Sequence, residues 1–259
     1  KWVETVHGDH IKFEANENYW GKVPEFQYLT LKLVADPSTG VFMLESGQIN
    51  MTLISPDKID EVKAAGLNII QIPERKPMEV FFGGEHLAGS KYYDPTCPWV
   101  NHSDEPDNSD WNQRALKVRK ALCLAINYQA MIDKIMHGYA TPYVLHDITM
   151  DNVWYKPEWK PFPYDLAQAK ALLAEAGYPN GFSKPVQMFI PTTPLTSVNT
   201  RALAEAVASD LEALGIKVER RVMEQNLIDE EWMFGFNSPW KIRLGLAWVI
   251  VHPSSGWPW

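Results

Sequence analysis

Val186-Gln187-Met188-Phe189-Ile190, then the run from Asn199-Thr200-Arg201-Ala202-Leu203 to Leu214-Gly215, then Ile216-Lys217-Val218-Glu219-Arg220-Arg221-Val222: this succession decides the fold class. The first piece is a short apolar run of strand length. Asn199 suits an N-cap, because its side chain can accept a hydrogen bond from a free amide of the first turn. Leu203, Val207, Leu211 and Leu214 recur at helical spacing, and Gly215 is a natural stop. Ile216, Val218, Arg220 and Val222 then alternate as a strand. Strand, capped helix and strand in that order point to an α/β fold.

The same alternation extends toward the N-terminus. Residues 11–15 and 29–34 alternate as strands. Asp36-Pro37 opens a helix over 38–46, which stops at Gly47. Residues 51–54 read as a short strand, Ser55-Pro56 opens another helix ending at Gly66, and residues 68–73 and 78–82 read as strands. The pattern implies a mixed α/β sheet flanked by helices. Residues 83–110 break it. They are rich in Asp, Asn, Ser, Pro and aromatics without a period, and read as a long, mobile surface loop. Helices resume with Ala115, Leu116, Arg119, Leu122, Cys123 and Ile126 on one face, then a second helix to Met136. Asp165 caps a third, with Leu166, Ala169, Leu172, Leu173 and Ala176 inward and Gly177 as its stop. A short helix near 227–234 precedes a final apolar strand over 244–251.

Composition excludes several functions. A formal charge of -8 over 259 residues does not suit a phosphate backbone, so no nucleic-acid partner is expected. No apolar run approaches the roughly 18 residues of a membrane span. Cys97 in a Pro-rich loop and Cys123 in an apolar helix are too few for a disulfide framework, and read as a loop thiol and a buried thiol, with a bridge between them as the alternative. His7 and His10 flank Gly8-Asp9, a turn rather than a metal site, and His86 and His102 lack regular ligand spacing. No metal, cofactor or catalytic residue is assigned, and no enzymatic activity is expected: no nucleophile elbow, zinc helix or phosphate loop occurs. Among eleven tryptophans, Trp99, Trp111, Trp154, Trp159, Trp257 and Trp259 fall in loops. They read as pins holding loops to the core, with aromatic platforms for a ligand as the alternative.

Four segments resemble one family. They are Asn16-Glu17-Asn18-Tyr19-Trp20-Gly21; Asp36-Pro37-Ser38-Thr39 with Leu44-Glu45-Ser46-Gly47-Gln48-Ile49-Asn50; Val118-Arg119-Lys120-Ala121-Leu122 with Ala125-Ile126-Asn127 and Gly138-Tyr139-Ala140-Thr141-Pro142; and Pro163-Tyr164-Asp165 with Leu172-Leu173-Ala174-Glu175-Ala176-Gly177-Tyr178-Pro179. In this order they resemble the oligopeptide, dipeptide and nickel class of extracytoplasmic solute-binding proteins. The resemblance implies a periplasmic-binding-protein-like lobe and a ligand closed between two lobes. It implies that residues 1–243 form the second, continuous lobe and that residues 244–259 are the return hinge strand and the start of a truncated first lobe. Both ends of the sequence read as cut. The implied partners are a small solute (a peptide or an oligosaccharide) and the membrane permease of an ABC importer, with the receptor monomeric. The implied location is periplasmic or extracellular, with a lipid anchor through preceding sequence. An oligosaccharide or other neutral-solute receptor, and the ligand-sensing domain of a regulator, are the alternatives.

The motifs themselves are mostly architectural. Tyr19 and Trp20 are expected to pack, and Arg119 to make a structural contact. The stretch from Gly245 to Pro253 is the exception, since it occupies the place of a segment resembling Gly-Trp-x-x-Asp-Tyr-x-x-Pro. The expected ligand-binding residues are Arg243, Gly245, Ala247, Trp248 and Val249. In peptide-binding members an acidic residue stands at the position of Val249 and pairs with the peptide's amino group, so this sequence departs from that pattern. Arg243 matches a basic residue that some members use for a ligand carboxylate, with a solvated charge as the alternative reading.

Overall fold

The computed structural model describes residues 1–34, 36–70, 78–90, 93–142, 156, 158–192, 199–233 and 240–246. Its contacts divide the chain into two compact units, Lys1–Ile69 and Ile70–Trp259.

In the first unit, β1 (Trp2–Val6), β2 (His10–Glu14) and β3 (Tyr28–Lys32) form an antiparallel sheet in that order. Ile11 lies opposite Leu31 and Phe13 opposite Leu29, while His10 faces Lys32 and Lys12 faces Thr30. Neighbouring residues of a strand alternate between faces, so one face is apolar and the other charged. The apolar face has little cover: Leu31 is 52% and Trp2 65% exposed. Two helices follow, α1 (Pro37–Glu45) and, after a 3-10 turn at Pro56–Lys58, α2 (Ile59–Ala64). Asp36 caps α1 by accepting from the Thr39 amide at 2.9 Å, and Gly47 leaves the helix at φ +72, where a side chain would be strained. The strand expected at 51–54 does not form. Met51 and Leu53 are 82% and 79% exposed, and among the described residues no strand lies alongside for the backbone to pair with. Residues 68–70 also lack strand pairing, and the rest of that expected strand lies outside the described residues.

In the second unit the described strands are β4 (Met78–Phe82), β5 (Val186–Pro191), β6 (Val218–Met223) and β7 (Lys241–Leu246), in the order β4-β7-β5-β6. β5 runs parallel to β6 and β7, and β4 antiparallel to β7, so the sheet is mixed. The helices are α3 (Asp110–Ala125), α4 (Tyr128–Lys134), α5 (Leu166–Glu175), α6 (Thr200–Ala213) and α7 (Gln225–Met233). Leu122, Leu173, Met188, Ile190, Leu211 and Ile242 meet in one core of α3, α5, α6 and the sheet. Removing such side chains from water supplies the main stabilisation of the fold. Ser109, Asn127, Asp165 and Asn199 cap α3, α4, α5 and α6 through their side chains. Asp210 on α6 accepts from the Asn127 amide at 2.8 Å, which ties α6 to the α3–α4 corner; burial holds its carboxyl above the usual range.

The final strand starts earlier than expected, at Lys241, and is described as far as Leu246. The boundary placed between residues 243 and 244 therefore passes through the middle of β7. The stretch 83–110 is irregular, as read, but not a surface loop throughout. Cys97, Trp99, Val100 and His102 are buried. Trp99 donates from its indole to the Gly83 carbonyl at 2.8 Å, and Arg119 donates to the Trp99 carbonyl and the Asn101 side chain. A segment without periodicity can still be core when side chains and backbone groups find partners one by one. Trp99 thus pins the stretch to the core, whereas Trp111 lies in the first turn of α3 and not in a loop. The two thiols are free and exchange the expected roles: Cys97 in the loop is buried, and Cys123 on α3 is exposed. Trp20 does not pack into the core either; its ring lies tilted against Tyr19, with centroids 5.2 Å apart, and the residue is 91% exposed.

Candidate ligand-binding site at the strand ends

The parallel strands β5, β6 and β7 end on one edge of the sheet, at Pro191, Met223 and Leu246. β4 begins there, with Met78 opposite Leu246. Ligands of open α/β sheets bind beyond the carboxyl ends of parallel strands, where chain segments diverge and backbone groups are left unpaired. Residues 71–77, 193–198 and 247–250, continuous with these strand ends, lie outside the described residues.

Two of the five expected site residues fall on this element. Gly245 lies opposite Glu79 of β4, one residue from the edge. Arg243 lies between Phe81 of β4 and Phe189 of β5. Ala247, Trp248 and Val249 lie outside the described residues. At the next position back from Ile242, the Lys241 ammonium stands 5.3 Å from the Phe189 ring centroid, and the Arg221 guanidinium 5.5 Å from the same ring. Two cations thus rest on one buried aromatic of the central strand, a contact favoured by the ring's negative faces.

The opposite edge carries a cluster that the sequence reading missed. Trp240 precedes β7, and its ring meets Trp99 at 5.7 Å and Phe182 at 5.9 Å. Its indole donates to Asp94 Oδ2 at 3.1 Å. Burial pushes the Asp94 carboxyl up, but hydrogen bonds from Thr96 and Trp240, with the Lys184 charge, leave it below the usual range. The Cys97 thiol beside it is pushed up to about 12 by burial, so it stays protonated at neutral pH and is no nucleophile. Trp240 stands too far from the other aromatics in sequence for periodicity to join them. The tryptophans at 99 and 240 on either side of the sheet strands were the available signal.

His7 and His10 flank a hairpin turn: the Asp9 amide donates to the Val6 carbonyl, and Asp9 pairs with His10 at 2.8 Å, which raises the imidazole's pKa. His102 stacks on Trp111 at 4.4 Å and reaches Glu105 and the Pro95 carbonyl. Among the described residues, no group of three or more His, Cys, Asp or Glu could hold a metal ion, and no helix is long and apolar enough to cross a membrane.

Residues 1–241 match the family described as bacterial extracellular solute-binding proteins, family 5 middle region, and the chain belongs to that family. Similar proteins include heme-binding protein A of Haemophilus influenzae, 29% identical over 89% of this chain and 37% of that protein. The glutathione-binding protein GsiB of Escherichia coli is 28% identical over 99% of this chain and 46% of its own length. The chain therefore spans less than half the length of these relatives. Among solved structures, the substrate-binding protein CtaP of Listeria monocytogenes aligns with TM-score 0.69 at 18% identity, over 95% of this chain and 45% of its own. DppA of Helicobacter pylori, solved with the peptide STSA, aligns with TM-score 0.65 at 22% identity, over 98% and 43%. At these identities the structural likeness establishes the fold, that of periplasmic binding proteins. The relatives are named as binding proteins and not as enzymes.

Proposed function

We propose that this chain is part of the substrate-binding component of an ABC importer, and that it captures a peptide or peptide-like solute rather than transforming one. The observation that carries the reading is the family match over residues 1–241 on a sheet whose parallel strands end together. The solute would lie beyond those ends, against β7 and the residues that follow it, so Arg243, Gly245, Ala247, Trp248 and Val249 remain the proposed contacts. The chain would supply the continuous lobe of a two-lobed receptor, with residues 244–259 leading out of it. Closure of the lobes would bury the solute and present a surface to a permease. Such a receptor works outside the cytoplasm, as a monomer.

Val249 sharpens the reading. An ammonium group buried beside an apolar side chain lacks the carboxylate that would offset its desolvation, which costs several kcal/mol. The receptor should therefore accept N-acetylated peptides at least as well as free ones. The test uses the protein with whatever sequence flanks residues 1–259 in its gene. Mass spectrometry identifies any copurifying solute, and calorimetry sets acetylated against free forms of one peptide. Val249→Asp should shift preference toward the free amine by about 1–3 kcal/mol. A strong wild-type preference for the free amine would sink this account of Val249, and absence of any solute binding would sink the receptor reading.

A further inference from the structure

Trp240 adopts φ +66, a conformation that a bulky residue holds only when its surroundings impose it. The imposing groups are all in place. The Trp240 carbonyl accepts from the Gln187 amide of β5 at 2.8 Å. The indole donates to Asp94, 146 positions away in sequence, and the ring meets both Trp99 and Phe182, which also meet each other, with the Lys184 ammonium 5.2 Å from its centroid. At the next residue, the Lys241 carbonyl accepts from the Gly83 amide at 2.7 Å. The backbone bend and the start of β7 on both of its neighbours are thus fixed at one point.

We propose that Trp240 is a positioning residue: anchored by Asp94 and caged by Trp99 and Phe182, it sets where β7 enters the sheet and so places Arg243 and Gly245 for the solute. The proposal rests on the receptor reading above for its last clause only. The reason for such an anchor is register. β7 is paired on both sides, and a slip of one residue moves every side chain of a strand to the other face. Burial of Ile242 disfavours a slip of one residue, but a slip of two keeps the same face inward, and the ladder alone does not exclude it. Trp240 cannot slip without leaving its cage and its carboxylate.

The experiment compares Asp94→Ala, Trp240→Phe and Asp94→Asn with the parent, each with the flanking sequence of its gene. Asn retains an oxygen for the indole, and Phe retains a ring in the cage. Amide hydrogen exchange over Lys241–Leu246 should speed by about tenfold in Asp94→Ala and Trp240→Phe, while α6 keeps its protection. Asp94→Asn should stay within about twofold of the parent. Affinity for the N-acetylated tetrapeptide STSA should fall by about the same tenfold in the first two variants and recover in Asp94→Asn. Unchanged exchange in β7, or faster exchange in β7 and α6 alike, would overturn the positioning role, the latter by reducing Trp240 to an ordinary core residue. Failure of the parent to bind N-acetylated STSA would count against the peptide reading, and exchange alone would then decide the positioning role.

Discussion

The alternating strands of the first sheet and the nearly continuous apolar run of β5 end in different environments. In β2 and β3 of the first unit, Ile11, Phe13, Leu29 and Leu31 alternate with charged and polar residues, yet Ile11, Leu29 and Leu31 remain substantially exposed. In β5 of the second unit, Val186, Met188, Phe189, Ile190 and Pro191 are all buried beneath helices and neighbouring strands. The difference lies in cover. A helix or strand lying across a sheet removes its apolar face from water, and the three-stranded sheet gets little such cover among the described residues. Alternation reports which face wants burial; it does not report what buries it.

The sharpest test of this contrast is a pair of truncations. Phe189→Ala, at a fully buried position, should cost about 3–5 kcal/mol, read as a fall in the urea midpoint. Leu31→Ala, half exposed, should cost about 1 kcal/mol in residues 1–259 alone. If Leu31→Ala costs about 2 kcal/mol or more in the protein with its flanking sequence, that sequence covers the apolar face. Equal and large costs for both residues in residues 1–259 alone would break the contrast.

A smaller effect asks whether the two units unfold together. Asp36 and Asn199 cap α1 and α6 with the same geometry, each accepting from the amide three residues on at about 3 Å. Each Ala substitution should cost about 1 kcal/mol. If the units unfold separately, Asp36→Ala moves one calorimetric transition and Asn199→Ala the other. A single transition moved by both would show that the division at Ile69/Ile70 is not energetic.

The smallest effect is electrostatic and confined to the second unit. Arg220 holds Glu212 at 2.6 and 3.0 Å and Glu205 at 2.7 Å, and the hydrogen bonds to Arg220 hold the Glu212 carboxyl below its usual range. A carboxyl lowered in the folded state contributes stability above its unfolded pKa and loses it as pH falls through the folded value. Both side chains are partly exposed, so the pair should be worth about 0.2–1 kcal/mol and weaken with salt. Glu212→Gln should remove that fraction of the acid sensitivity; an unchanged pH profile of stability would show that water screens the pair completely.

The local order of this chain was legible from its residues alone. Asp36, Asp165 and Asn199 cap the helices they were read to cap, because a short acceptor beside free amides acts over one turn of chain. The βαβ run from Val186 to Met223 and the mixed sheet were also legible, since strand and helix periods are properties of neighbouring residues. Of the proposed site, the expectation for the β7 segment came from the resemblance carried by Gly245 and Pro253. Long-range packing settled the rest. It left 51–54 unpaired, buried Cys97 while exposing Cys123, and drew the aperiodic stretch around Trp99 into the core. It also brought Asp94 to Trp240, a hydrogen bond that closes across most of the sheet. Such contacts join groups far apart in sequence, and the burial that makes them favourable exists only once the strands between them have assembled.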